Sequence, residues 1–158
     1  MDYISSADQQ ILSERYHKTR LVVVALGLSV LLYLLIGWLI SPAPLSPGLA
    51  SKGRFFYFAA LVIGFAAVMV RRLLLSRLRL DVATRRGVKA VVNNLGSASI
   101  IGGACGEMVG VIGLVAYLMT GDAEYNWRLG VIGLLLIAYS FPRRGEWERA
   151  VSAIAQRE

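Results

Sequence analysis

Apolar and polar positions alternate in blocks along this chain rather than residue by residue, and the blocks are long. Residues 21–40 carry no charge over twenty positions, enough for about 30 Å of helix and so for one crossing of a bilayer core. A second apolar block covers about 55–75, a third 96–120 and a fourth 126–142. Between them lie a proline loop (Ser41, Pro42, Ala43, Pro44, Leu45, Ser46, Pro47), a basic connection and a short Gly121–Asp122–Ala123–Glu124 turn. The pattern predicts an all-α, polytopic membrane protein: one domain over 1–158 with four transmembrane helices and short surface helices at both termini. The polar segment 1–20 opens on a capping box at Ser6 and Gln9, and it reads equally as a helix with Ile4, Ile11, Leu12 and Tyr16 laid along the membrane surface or as a solvated lead-in helix. The tail 143–158 alternates charge with Trp147, Ala150, Val151 and Ile154, as a surface helix does against lipid headgroups or a partner, and the sequence favours neither.

Within the third block the apolar pattern is broken once. From residue 90 to residue 121, Glu107 is the only ionisable side chain apart from Cys105 and Tyr117, and it sits near mid-span. An ionised acid at that depth costs about 2.5 to 3.5 kcal/mol on insertion scales, so it is expected neutral, hydrogen-bonded or beside a wet cavity. Helical spacing surrounds it with glycine: Gly102, Gly103, Gly106, Gly110 and Gly113 form small-residue ladders that let another helix backbone come close. Glu107 is therefore expected to face protein. Its best hydrogen-bonding partners are Ser29 and Tyr33, which lie near the centre of the first span, where no histidine, lysine or arginine reaches. These three residues make the candidate ion-binding group.

The run Gly106-Glu107-Met108-Val109-Gly110-Val111-Ile112-Gly113-Leu114-Val115 resembles the carboxylate-bearing helix of rotary ATPase proteolipid (c-type) subunits. The resemblance covers residues 96–121, and the basic loop Arg85-Arg86-Gly87 precedes the helix as the polar loop does in that family. It implies that Glu107 carries a translocated proton or sodium ion. The preceding apolar block departs from the family in holding only Gly64, and the loop lacks a proline.

Composition agrees with the blocks: 56% of residues are hydrophobic, against about 45–50% in soluble domains, and mean hydropathy is +0.60. The net charge of +7 is distributed as topology requires and gives no expectation of nucleic acid. Fourteen basic residues fall in the N-terminal segment, the central connection and the tail, and three in the other two loops. The positive-inside rule then puts both termini in the cytoplasm, across a cytoplasmic (inner) membrane. Arg71, Arg72, Arg77, Arg79, Arg85, Arg86 and Lys89 are the expected topogenic and lipid-headgroup residues, meeting anionic lipid on the cytoplasmic side.

One cysteine and one histidine assemble no zinc site, nucleophile pair or disulfide framework, and Cys105 reads as a small packing residue. No enzyme activity, cofactor or metal is expected. The leading expectation for function is a non-catalytic structural or accessory subunit, packing through the glycine-rich third helix against other membrane subunits or itself. The alternative is a proteolipid-like protein that handles protons or ions through Glu107.

Overall fold

The computed structural model describes residues 6–40, 53–74 and 87–155. Among them the chain is helical apart from short connections and has no strands: α1 (Ser6–Leu39), α2 (Gly53–Leu74), α3 (Val88–Thr120), α4 (Ala123–Ser140) and α5 (Arg144–Ala155). The Ser6 side chain, the proline loop and Arg77, Arg79, Arg85 and Arg86 lie outside what the structure describes.

Helices α1, α2 and α3 are long and apolar enough to cross a membrane. Large apolar side chains cover their outer surfaces, among them Leu28 and Leu35 on α1, Phe58 and Phe65 on α2 and Met108 on α3. Such a surface suits acyl chains, not water. Helix α4, expected as a fourth span, is not in that set, because Glu124, Asn126 and Arg128 stand in its first two turns. Exposed Arg128 pairs with Glu124 at 2.6 Å, one turn away.

Side-chain neighbours give the helix directions. Along α1, Thr19 meets Gly96, Val30 meets Gly110, and the Ile40 carbonyl accepts a 2.5 Å hydrogen bond from the Tyr117 hydroxyl, so α1 and α3 run parallel. Helix α4 returns antiparallel along α3, with Leu129 against Gly113 and Ser140 against Gly102. Helix α2 runs alongside α4, from Phe56 near Tyr125 to Arg71 beside Tyr139. The central member is α3, which packs on α1, α2 and α4.

Local chemistry sets the tight α3–α4 turn. Gly121 takes the left-handed conformation (φ 74°) and closes α3 with a 2.8 Å hydrogen bond from its N–H to the Tyr117 carbonyl. Asp122 then caps α4 by accepting the Glu124 N–H at 2.9 Å.

Two expectations for the ends are corrected. The N-terminal segment is not a separate surface helix, since α1 runs without a break into the apolar block and no proline or glycine interrupts residues 6–26. Of the surfaces open to the two terminal segments, Leu12 and Tyr16 take neither lipid nor water but the tail itself, where Trp147 and Val151 meet them. Leu12, Val91, Val92, Leu95, Trp147 and Val151 form a buried cluster that joins α1, α3 and α5. Trp147 is only 2% exposed, and Tyr16 meets it edge-on at 5.7 Å. Burying these apolar faces against each other removes more of their surface from water than lying at an interface would.

Candidate functional site

Glu107 lies on the side of α3 that borders α1, and the glycines around it decide how close α1 comes. A Cβ on Gly103 would lie 3.0 Å from Leu26 Cδ1, and one on Gly110 would lie 3.0 Å from both Val30 methyl carbons. The two glycines bracket Glu107 and admit these side chains. Tyr33, one turn beyond Val30, is thereby delivered to the acid, and its hydroxyl donates a 3.1 Å hydrogen bond to Glu107 Oε1. Glu107 itself is half-buried, at the rim of the α1–α3 contact, with exposed Met108 and Val111 beside it.

Ser29 plays a lesser part than expected. Its Oγ donates to the Ala25 carbonyl of its own helix at 3.1 Å, and it neighbours Tyr33 rather than Glu107.

A third helix enters through a residue that sequence reasoning missed. Asn126 of α4 is 5% exposed, and its Nδ2 donates to the Tyr33 carbonyl at 3.4 Å. Gly37 makes room for it, because a Cβ there would collide with the amide. Asn126 Oδ1 is buried without a hydrogen-bond partner. A buried acceptor left unmade costs about 1 to 3 kcal/mol, so this position is a natural one for a small hydrogen-bond donor. The periodicity of α4 carried the signal: Asn126, Leu129, Gly130, Gly133, Ile137 and Ser140 are all buried at helical spacing.

The five candidate packing glycines are all buried, and all against this same chain. Gly103 and Gly110 face α1. Gly102, Gly106 and Gly113 face α4, where a Cβ on Gly106 would lie 2.7 Å from the Gly133 carbonyl oxygen. These five glycines are therefore occupied by α1 and α4 of the same chain.

The basic residues divide. Arg72 and Lys89 are exposed, as headgroup contacts would be. Arg71 has a side chain only 14% exposed: its guanidinium donates to the Tyr139 carbonyl, lies 4.4 Å from the Tyr139 ring centroid and stands 4.0 Å from Glu146. It clamps α2 to α4 and α5. Cys105 is a half-buried free thiol, and no group of three or more metal-ligating side chains gathers among the described residues.

Chemically, the Tyr33 phenol can donate to either protonation state of Glu107, while the second carboxyl oxygen is left to hold or release a proton. No protein-family model, curated protein or solved structure matches the chain.

Proposed function

We propose that this protein is a small integral membrane subunit with four spans and no catalytic activity, which associates through the outer face of α3 with another membrane protein or a second copy. The observation that carries the reading is the half-exposed Glu107, set among Ile101, Met108, Val111 and Val115 on the outside of the bundle. A carboxyl facing acyl chains with one oxygen unpaired is costly, and a helix from another subunit covering it would remove that cost. The fourth span is α4, whose uncharged stretch begins at Leu129 and which thins the bilayer or draws Arg128 outward.

Both termini are assigned to the cytoplasm. Support comes from Arg15, Lys18, Arg71, Arg72, Lys89, Arg143 and Arg144 at the α5 end of the bundle, against Arg54 and Arg128 at the other. Reporter fusions test this directly, and an external C-terminus overturns it.

The docking reading is tested by light scattering and pull-down of the full chain in mild detergent. Assembly, with itself or with a co-purifying membrane protein, is expected to be lost on Met108→Trp or Val111→Trp. A stable native monomer with no recovered partner refutes the reading.

A second reading, proton handling by Glu107 in the manner of a proteolipid, is favoured by the Tyr33–Glu107 hydrogen bond. The test is labelling by a hydrophobic carbodiimide, to which the protonated acid adds, giving its proton to the carbodiimide nitrogen and its oxygen to the central carbon. Labelling is expected to slow as pH rises, and Glu107→Gln is expected to abolish both labelling and proton flux in vesicles while keeping the fold. No pH-dependent labelling means that the acid only packs.

A further inference from the structure

Arg15 and Thr19 stand one turn apart on α1, as do Asn93 and Ser97 on α3, and together with Val92, Gly96 and Ile100 they line a cleft of about 320 Å³ between the two helices. Three neutral hydrogen-bonding side chains and one guanidinium converge on it. Thr19, at the back, is almost wholly buried. Gly96 keeps the cleft open: a Cβ there would lie 3.1 Å from Thr19 Oγ1 and 3.7 Å from Trp147 Cη2, so any side chain would fill the space in front of the hydroxyl.

The depth of the cleft is informative. On α1 the last charge is Arg20 and the apolar block begins at Leu21, while on α3 the polar pair Asn93 and Asn94 gives way to apolar residues at Leu95. The two helices run parallel and in register, so both cross from polar to apolar at the level of this cleft. That is the level of lipid phosphates in a bilayer. Farther along the same stripe of α3 come Ile100, Ala104 and Glu107, with Glu107 roughly 15 Å beyond Ser97 at helical rise. Ile100 is exposed and apolar, suited to an acyl chain.

We infer that the cleft is a binding site for a single anionic phospholipid. The phosphate is held by the Arg15 guanidinium and by Thr19, Asn93 and Ser97, and one acyl chain descends past Ile100 along the α1–α3 groove. An arginine fork beside neutral donors recognises phosphate oxygens, and its unit charge selects anionic over zwitterionic headgroups. The inference rests on the membrane reading of α1 and α3, but not on what, if anything, covers Glu107.

The test is native mass spectrometry of the full chain in mild detergent, titrated separately with short-chain phosphatidylglycerol, short-chain phosphatidylcholine and inorganic phosphate. One phosphatidylglycerol is expected to be retained in preference to phosphatidylcholine, with inorganic phosphate a poor competitor because it lacks the chain. Arg15→Gln should weaken retention about fivefold, the effect of one basic residue near a lipid surface. Asn93→Leu and Ser97→Leu, at exposed positions that leave the fold intact, should weaken it as well, and Gly96→Val should abolish it. Arg143→Gln, a surface arginine outside the cleft, is the control and should leave retention unchanged. Equal retention of the two lipids overturns the proposal, as does an Arg143→Gln effect as large as that of Arg15→Gln. Competition by inorganic phosphate at concentrations similar to the lipid also overturns it, since the site would then serve a free anion.

Discussion

Helix α3 meets its two main neighbours by opposite means, although both contacts are lined with glycine. At the middle of the α4 seam the glycines receive backbone: Gly106 and Gly133 face each other so closely that a Cβ on Gly133 would lie 2.5 Å from the Gly106 carbonyl oxygen and 3.2 Å from the Gly110 nitrogen, while Gly102 nearer the end of α4 receives the Ser140 side chain. Against α1 they receive side-chain tips, the methyls of Val30 and Leu26. A main chain inside a helix cannot step aside without breaking its own hydrogen bonds, whereas a valine or leucine can shift a few tenths of an ångström. The α4 seam is thus rigid, and the α1 seam is adjustable. The Glu107–Tyr33 pair and the polar cleft both lie on the adjustable side.

The largest effect is expected for Gly106→Leu, which would drive a full side chain into the Gly133 carbonyl and Ile137. Overpacking of that kind costs about 3 kcal/mol or more, so thermal scanning in detergent should show a drop of about 10 °C or outright aggregation. An unchanged midpoint would mean that the hairpin is not packed as described.

A matched pair sharpens the contrast. Gly133→Ala should destabilise by about 2 kcal/mol, because the obstacle is backbone. Gly110→Ala should stay within about 0.5 kcal/mol of the native chain, the small push on Val30 being offset by the better helix propensity of alanine, worth up to about 1 kcal/mol. Equal losses for the two would erase the distinction between the seams.

The smallest expected effect is that of Tyr33→Phe. Interhelical hydrogen bonds of this kind average about 0.6 kcal/mol, so the midpoint should move by no more than about 2 °C. Carbodiimide labelling of Glu107 should nonetheless become faster, since the acid loses its holder. A large fall in stability with unchanged labelling would make Tyr33 a packing residue instead.

Much of this arrangement was legible before the tertiary structure. The three apolar blocks became α1, α2 and α3 because unbroken apolar runs of that length have no alternative to a helix in lipid. Tyr33 was a nameable partner for Glu107 because few polar side chains lie at mid-span depth. The turn at Gly121 and Asp122 followed from local cap chemistry. Asn126 was overlooked because it stands beside the interfacial Tyr125 and Trp127, which look like a boundary, although its helical phase with Leu129 and Gly133 points inward. The clamp made by Arg71 was not legible, because a basic residue at the end of an apolar block is ordinarily a headgroup contact and its approach to Tyr139 and Glu146 is a tertiary relation.

Sequence alone determined the all-α class of the protein, the position of Glu107 within its apolar block and the presence of a glycine face, since each depends on hydropathy and helical spacing along one segment. Tertiary structure decided which neighbour occupies each glycine, because Gly103, Gly106 and Gly110 are alike in sequence and differ only in whether backbone or side chain meets them. It also decided that the two terminal segments cover each other and that Arg15 and Asn93 share a cleft. Those pairings depend on the parallel register of α1 and α3, a relation between segments more than seventy residues apart that no local pattern encodes.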